Sequence, residues 1–311
     1  MAALDWDAVT RKYGHDVPVL GSTMSVIDVG PVDRATGPVL VFLHGNPTSS
    51  FLWRKVIAAL ASRYRCIAID LIGMGGSGKP AIGYSWTDHR AYLTETLDRL
   101  DVGTQPVRLV THDWGVGLGI EYARTHPLRV AGVAFAEGHL RPLPSWDAFD
   151  EGGREFFRRL RDPVDGRREV LDDDVFLTAI LPGGMYHQLT IEEARAYREP
   201  FPTPASRLPI WAWVTQIPVR GDPAPVHDAL SANYEWLAHT STPRLLLHAH
   251  PGAIITTAVA RELVADIPVI ASVDVGRGLH FLPEDQPENM AAALAAWAIA
   301  TATVDEGVRG A

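Results

Sequence analysis

The sequence predicts an α/β fold in which a mostly parallel, eight-stranded sheet is flanked by helices and interrupted by a helical insertion. Two observations lead to this prediction. Short apolar segments alternate with helical segments over residues 38–136 and again over residues 225–301, without the close spacing typical of hairpins. Such alternation implies parallel strands joined by right-handed crossovers. Between these two stretches, residues 138–216 contain no convincing core strand.

The strands are predicted from apolar and β-branched runs that end at glycine, proline or polar turns. The first two form an antiparallel opening pair around a turn at Gly21 and Ser22, and the next six are buried parallel strands. The eight predicted strands are residues 17–20, 24–29, 38–43, 66–70, 107–111, 129–136, 243–248 and 269–275.

Helices follow most of these strands, and several begin next to residues that cap helix N-termini. Ser49 and Ser50 precede the first predicted helix, and Thr87 or Asp88 caps the second. The predicted helices of the sheet domain are residues 53–62, 86–100, 225–238, 256–265 and 289–301, together with one that opens at Gly115.

Residues 138–216 are predicted to form a helical cap. Helical patterns cover about 146–161, 172–181 and 190–198, and prolines and aromatic residues recur throughout. A separate helical domain is the alternative, but strand–helix alternation resumes afterwards, which favours an insertion between two strands. We therefore expect a core domain of residues 1–137 and 217–311 and a cap of residues 138–216.

Composition restricts the class of protein and its partners. Hydrophobic residues make up 47% of the 311-residue chain, which fits a globular protein with a full core. The formal net charge of −9 argues against nucleic acid or an anionic membrane surface as a partner, because both require a basic face. The single cysteine, Cys66, lies in an apolar run and is expected in the core. The first residues lack a secretory signal and no apolar run reaches bilayer length, so a cytoplasmic location is expected.

The glycine-rich loop at residues 70–78 departs from the known phosphate-binding fingerprints. Lys79 is followed by Pro80 rather than by the Ser or Thr of a P-loop, and the loop does not open a helix directly. We interpret it as a tight connection. Neither a metal nor an organic cofactor is expected, and the chain is expected to be a monomer or a weak homodimer.

The most informative motif is T-H-D-W-G at residues 111–115, between a buried strand and a helix. It has the small-x-nucleophile-x-small pattern of a strand-to-helix elbow, with Asp113 where a serine is usual. The alternative is a buried aspartate that only caps the helix. Two further residues follow strands later in the chain: Glu137 and His280. Because the carboxyl ends of parallel strands share one edge, nucleophile, acid and base are expected to converge there.

Six motifs resemble those of the haloalkane dehalogenases of the α/β-hydrolase superfamily, and the resemblance covers about residues 15–300. The motifs are H-G-N-P-T-S-S at residues 44–50, D-L-I-G-M-G at 70–75, H-D-W-G at 112–115, F-A-E at 135–137, Y-R-E-P-F at 197–201 and G-L-H-F-L-P-E-D at 278–285. This resemblance implies hydrolysis of a carbon–halogen bond to an alcohol, a halide and a proton, with a small apolar halogenated substrate.

The residue types agree with that chemistry. A serine attacking an sp³ carbon would leave an ether, whereas Asp113 would leave an ester that water can hydrolyse. The resemblance implies that Asn46 and Trp114 hold the leaving halide through neutral N–H donors, and that their backbone N–H groups stabilise the oxyanion. His280 would activate water and Glu137 would orient it.

In such proteins the carboxylate that orients the histidine follows either the sixth or the seventh strand. The stretch after the seventh strand, residues 248–255, has no carboxylate and Asp266 comes too late, so Glu137 is chosen. Gly138 and His139 depart from the usual apolar residues there, which suggests an unusual cap entry. The residues that the alignment places around the pocket are Phe157, Phe176, Ile180, Ile254 and Leu279.

Several other functions remain open at this point. An epoxide hydrolase shares the aspartate but needs two cap tyrosines, for which Tyr186 and Tyr197 are candidates; Asn46 stands where that family has an aromatic residue. Residues 116–121 lack the arginines of a fluoroacetate-type enzyme. A coelenterazine-type luciferase shares almost the whole pattern. An inactive scaffold or receptor would have no use for a base aligned with a nucleophile, and Asp113 excludes a serine esterase.

Overall fold

The computed structural model describes residues 5–31, 38–100, 102, 106–149 and 151–309, and the side chains of residues 302–309 are not considered. Within this part of the chain, no helix has the length and apolar character needed to cross a membrane. The strands are β1 (Gly14–Val19), β2 (Ser22–Val29), β3 (Val39–Leu43), β4 (Arg65–Ile69), β5 (Val107–His112), β6 (Val130–Ala136), β7 (Arg244–Pro251) and β8 (Ala271–Gly278).

All eight strands join one sheet in the order β1-β2-β4-β3-β5-β6-β7-β8. β2 pairs antiparallel with both β1 and β4, and every other pair is parallel, which confirms the predicted mostly parallel sheet. His112 is in register with Ala136 at the ends of β5 and β6. The next residues, Asp113 and Glu137, therefore leave the sheet side by side at its carboxyl edge.

The central strands are buried on both faces. Every residue of β3, β5 and β6 is buried, as expected where helices cover both sides of a parallel sheet. The helices of the sheet domain are α1 (Trp6–Tyr13), α2 (Arg54–Leu60), α3 (Trp86–Arg99), α4 (Trp114–Thr125), α10 (Ala224–His239), α11 (Thr257–Asp266), α12 (Leu282–Asp285) and α13 (Pro287–Arg309). The sequence reading missed α1 and ended the last helix at residue 301.

The segment between β6 and β7 contains helices and no strand among its described residues. The helices are α5 (Glu151–Leu160), α6 (Asp165–Leu171), α7 (Leu181–Gly183), α8 (Ile191–Arg198) and α9 (Leu208–Thr215), with a π-helical turn at Phe176–Ile180 that leads into α7. The sequence reading missed α6 and α9. In α9, seven of the eight residues are apolar or proline, so the amphipathic period that marks a helix is absent from it.

A buried cluster of charges joins this helical segment to the sheet domain. The Arg54 guanidinium of α2 pairs with Glu284 of α12 and with Glu193 of α8, and Tyr197 of α8 donates its hydroxyl to Glu284. Arg54 is 6% exposed and Glu284 3%, so each charge is neutralised inside the protein. The cluster therefore fixes α8 against α2 and α12.

The same cluster contains the one group of potential metal ligands found among the described residues, His187, Glu193 and Glu284. The ammonium of Lys55 lies 2.8 Å from Glu284 and 3.3 Å from Glu193, and Arg54 also contacts both carboxylates. Two cations already occupy the positions that a metal ion would need. We therefore interpret the group as an anchor between helices.

Candidate active site

Asp113 occupies a strained elbow between β5 and α4. Its φ of 53° and ψ of −124° lie outside the conformations that side-chain-bearing residues prefer. Two glycines allow the elbow to form. A Cβ on Gly115 would lie 2.6 Å from the carbonyl oxygen of Leu43, and a Cβ on Gly45 would overlap the carboxylate of Asp113. This geometry projects the carboxylate out of the chain at the sheet edge, as the motif predicted.

Each oxygen of the Asp113 carboxylate has a different neighbour. Oδ1 accepts a hydrogen bond of 2.6 Å from the backbone N–H of Asn46, in the loop after β3. Oδ2 lies 3.5 Å from Nε2 of His280, in the loop after β8. One oxygen is therefore held by a backbone donor, while the other faces the imidazole.

Glu137 lies on the other side of the imidazole. One of its carboxylate oxygens is 3.6 Å from Nδ1 of His280, and the carboxylate accepts backbone hydrogen bonds from Ile254 at 2.7 Å and from Ala253 at 3.2 Å. The residue is fully buried, so these donors compensate for the lost hydration of its charge. The order Asp113, His280, Glu137 in space is the order predicted for nucleophile, base and acid.

His280 is fixed through its backbone as well. The ring of His112 donates from Nε2 to the carbonyl oxygen of His280 at 2.7 Å, and the N–H of His280 donates to the carbonyl oxygen of Gly184 at 2.9 Å. Burial lowers the pKa of His112 to about 3, so it stays a neutral donor. Gly184 follows α7 in the helical segment. The imidazole is therefore positioned from the sheet and from the insertion together.

The two carboxylates determine the charge of His280. Burial by itself lowers the pKa of the imidazole, but the interactions with Asp113 and Glu137 outweigh burial and raise the pKa to about 9. Burial also opposes the charge of Asp113, yet the interaction with His280 holds the pKa of Asp113 below its ordinary value. At neutral pH the site therefore contains an ionised Asp113 beside a cationic His280.

Asn46 and Trp114 supply neutral N–H donors beside this carboxylate. One amide hydrogen of Asn46 donates to the carbonyl oxygen of Ile210 at 3.1 Å, which ties this loop to α9, and a second amide hydrogen remains. The indole N–H of Trp114 has no acceptor among the described residues. Trp114 lines the same cavity as Asp113.

An aromatic stack behind Trp114 was missed from the sequence. Trp213 of α9 stacks on Trp114 with ring centroids 4.6 Å apart, and His89 of α3 stacks on Trp213 at 4.0 Å. Trp86 meets Trp114 edge-on at 6.2 Å. The stack fixes the plane of the Trp114 indole and links the helical segment to the elbow. Missing α9 hid this contact, although the two tryptophans of that helix were visible in the sequence.

A narrow cavity of about 10 Å³, room for about one water molecule, contains the Asp113 side chain among its walls. The residues that line it are Trp86, Asp113, Trp114, Gly117, His139 and Leu230. The five residues assigned by alignment to a pocket are not among these walls. Trp86, Gly117 and Leu230 were missed because α3, α4 and α10 meet only in the folded chain.

Three of the five alignment-assigned residues lie close in sequence or by a backbone contact to Glu137 or His280, and Phe157 and Phe176 do not. Leu279 immediately precedes His280, and the backbone N–H of Ile254 binds Glu137. Ile180 lies one turn before Gly184, which binds His280. Phe176 is buried at the start of the same turn, and Phe157 packs with Phe149, at a centroid distance of 5.2 Å. Their role as pocket walls stays a prediction.

The two cap tyrosines considered for an epoxide hydrolase face other groups. The hydroxyl of Tyr197 is buried against Glu284, in the charge cluster described above. Tyr186 is 42% exposed, and the guanidinium of Arg277 lies 4.0 Å from its ring centroid. Neither tyrosine therefore points a proton donor at Asp113, which disfavours that alternative.

The sheet order and the elbow define a member of the α/β-hydrolase fold. Residues 38–182 match a family model described as alpha/beta hydrolase fold. At the level of sequence, the chain is 41% identical over 290 residues to a haloalkane dehalogenase of Mesorhizobium japonicum, covering 93% of this chain and 92% of that protein. It is 40% identical over 287 residues to a haloalkane dehalogenase of Sphingobium indicum, and the match covers 90% of this chain and 93% of that protein.

Solved structures agree with the sequence comparison. A crystal structure of a haloalkane dehalogenase from Bradyrhizobium elkani matches with a TM-score of 0.89 and 38% identity, covering 94% of this chain and 99% of that one. A crystal structure of a haloalkane dehalogenase from Agrobacterium tumefaciens matches with a TM-score of 0.84 and 35% identity, and the match covers 93% of this chain and 96% of that one. This chain belongs to the haloalkane dehalogenase family, which confirms the resemblance predicted from its motifs.

Proposed function

We propose that the protein hydrolyses the carbon–halogen bond of small, uncharged haloalkanes, and that Asp113, His280 and Glu137 carry out the reaction. The observation that supports this most directly is an aspartate, rather than a serine, at the elbow within 3.5 Å of a histidine. An aspartate forms a hydrolysable ester with an alkyl carbon. The overall reaction consumes water and releases an alcohol, a halide and a proton.

In the first step an oxygen of Asp113 attacks the sp³ carbon that bears the halogen. The new C–O bond forms as the carbon–halogen bond breaks, and the halide leaves with the bonding electron pair. The indole N–H of Trp114 and the second amide hydrogen of Asn46 stabilise the developing negative charge as neutral donors. Neutral donors release the halide more readily than a lysine or arginine would, and neither residue type lines the cavity at Asp113.

In the second step water attacks the carboxyl carbon of the Asp113 ester, while His280 takes the proton of that water. Negative charge develops on Oδ1, which already faces the backbone N–H of Asn46. A donor at such a position contributes about 10²–10³ in rate. Collapse of this intermediate breaks the ester bond, and the proton held by His280 goes to the alcohol that departs. The remaining proton of the attacking water passes from the new carboxyl group to His280, which regenerates ionised Asp113, with one oxygen from water, beside a cationic His280. The proton that His280 gave up to solvent after esterification is the one the overall reaction releases.

The charges of the site prepare the two steps in turn. Before the reaction, Asp113 and Glu137 together raise the pKa of His280 to about 9, so the imidazole is cationic and leaves the nucleophile ionised. Esterification removes the charge of Asp113 and with it one of the interactions that raise the pKa. His280 then loses its proton more readily and becomes a base when the ester needs one.

The remaining assignments are part of the same proposal. Residues 138–216 act as a cap that sets substrate choice, over a core of residues 1–137 and 217–311. The partners are the halogenated substrate, water and the halide product. A monomer or weak homodimer in the cytoplasm is consistent with the single cysteine, Cys66, which is fully buried.

The proposal is tested by trapping the ester. His280→Phe is mixed with 1-bromohexane or 1,2-dibromoethane and examined by intact-protein and peptide mass spectrometry, with released halide measured in parallel. We expect an alkyl group on Asp113, one equivalent of halide and no further turnover. His250→Phe is the matched control, because His250 is exposed and pairs only with Asp274. Absence of both adduct and halide with wild type and variants would refute the dehalogenase assignment, and turnover of styrene oxide instead would favour an epoxide hydrolase.

A further inference from the structure

His139 is held beside the elbow by the glycine that precedes it. Glu137 leaves β6 with a φ of 50°, and the chain then passes directly against α4. A Cβ on Gly138 would lie 2.6 Å from the carbonyl oxygen of Asp113 and 2.5 Å from the side chain of Val116. Only glycine allows so close an approach without a shift of the backbone. The next residue, His139, therefore lies in the wall of the cavity that contains Asp113.

The imidazole of His139 is the unusual group in that cavity. Trp86, Leu230 and Gly117 supply apolar surface, and Asp113 and Trp114 belong to the reaction described above. His139 is half-buried, and its ring makes no hydrogen bond to any described residue. Its ring nitrogens remain accessible rather than sealed in the core, so they are able to hydrogen-bond a ligand that enters the cavity.

The imidazole is neutral at the pH at which the reaction is expected to run. Burial lowers the pKa of His139 to about 4, and this effect outweighs the attraction of Asp113 and Glu137 and adds to the repulsion by His280. A neutral imidazole offers one N–H donor and one nitrogen acceptor and carries no charge that would pair with Asp113. Its natural ligand is therefore an uncharged polar group.

We infer that His139 binds a polar, uncharged substituent of the halogenated substrate, such as a nitrile or hydroxyl group, and so favours these substrates over plain haloalkanes. The inference rests on the function proposed above and adds the class of substrate. His139 lines the cavity together with Asp113 and Trp114 but has no part in the bond changes proposed above, so it is a specificity-determining residue. Its contribution is one hydrogen bond to a neutral group, which corresponds to about a three- to tenfold preference.

The test compares substrates that match in size and differ in polarity. The pairs are 4-bromobutanenitrile with 1-bromopentane and 3-bromopropanenitrile with 1-bromobutane, and kcat/KM is measured from halide release. The quantity of interest is the nitrile-to-alkane ratio within each pair. His139→Leu removes both ring nitrogens, His139→Gln keeps an N–H donor, and His250→Leu is a control at an exposed histidine. Circular dichroism checks folding, and His139→Ala replaces a variant that fails to fold.

We expect His139→Leu to lower the nitrile-to-alkane ratio about three- to tenfold, while His139→Gln and His250→Leu stay within about twofold of wild type. An unchanged ratio in both pairs for His139→Leu would overturn the inference and leave the dehalogenase assignment intact. Failure of wild type to release halide from all four substrates would instead remove the function on which the inference depends.

Discussion

Replacing Glu137 by Gln keeps the size of the side chain and one acceptor oxygen for the backbone N–H groups of Ala253 and Ile254, but removes the charge beside His280. A carboxylate oxygen of Glu137 lies 3.6 Å from Nδ1 of His280. At an effective dielectric constant of about 20, two unit charges at this distance attract by about 5 kcal/mol. The amide dipole of glutamine retains part of this attraction. We therefore expect ester hydrolysis to slow by between about 10²- and 10³-fold.

The rate loss should fall on the second chemical step. Alkylation of Asp113 uses no proton transfer, so a rapid-quench experiment with Glu137→Gln should give a burst of about one equivalent of halide, followed by slow turnover. Mass spectrometry should detect the alkyl ester during turnover. Glu121→Gln is a matched control, since Glu121 is also buried and binds Trp86 and Arg90 instead. An unchanged rate of ester hydrolysis in Glu137→Gln would refute the role given to this carboxylate.

Three further predictions follow from other contacts. The pKa of His280 is raised from 6.5 to about 9 in the folded protein, so its contribution to stability, roughly 3 kcal/mol, is complete below pH 6.5 and is lost as the pH rises through about 9. NMR titration of the ring should give the pKa, and urea unfolding against pH should give the stability. Asp113→Asn should lower both the pKa of His280 and its contribution to stability. Arg54→Met leaves Glu284 buried without its main cation and should lower the free energy of unfolding by about 3–5 kcal/mol. Arg99→Met, at an exposed pair with Glu95, should lower it by less than about 1 kcal/mol. Equal losses of unfolding free energy in urea titrations of the two variants would contradict the importance of burial. Gly45→Ala should abolish halide release because its Cβ overlaps the Asp113 carboxylate, while Gly183→Ala, which has open space around it, should retain activity.

Sequence reasoning selected the residues proposed to react because their chemistry and their place in the chain are local properties. The T-H-D-W-G pattern after a buried strand made Asp113 a candidate for the elbow, and the order of Asp113, Glu137 and His280 along the chain favoured this over an aspartate that only caps the helix. Parallel strands place their carboxyl ends at one edge, so Glu137 and His280 could be assigned to that edge without coordinates. The structure places both within 3.6 Å of each other.

Tertiary structure decided which side chains surround those groups. Trp213 stacks on Trp114 only because α9, which has no amphipathic period, packs beside α4. His139 could be noted as unusual from the sequence, but its position in the cavity depends on how closely Gly138 passes α4. The pKa of His280 likewise depends on distances to two carboxylates that are far apart in the chain. Local order along the chain therefore determined the reaction type, whereas the packing of distant helices against the elbow decides the orientation of its donors and the shape of its cavity.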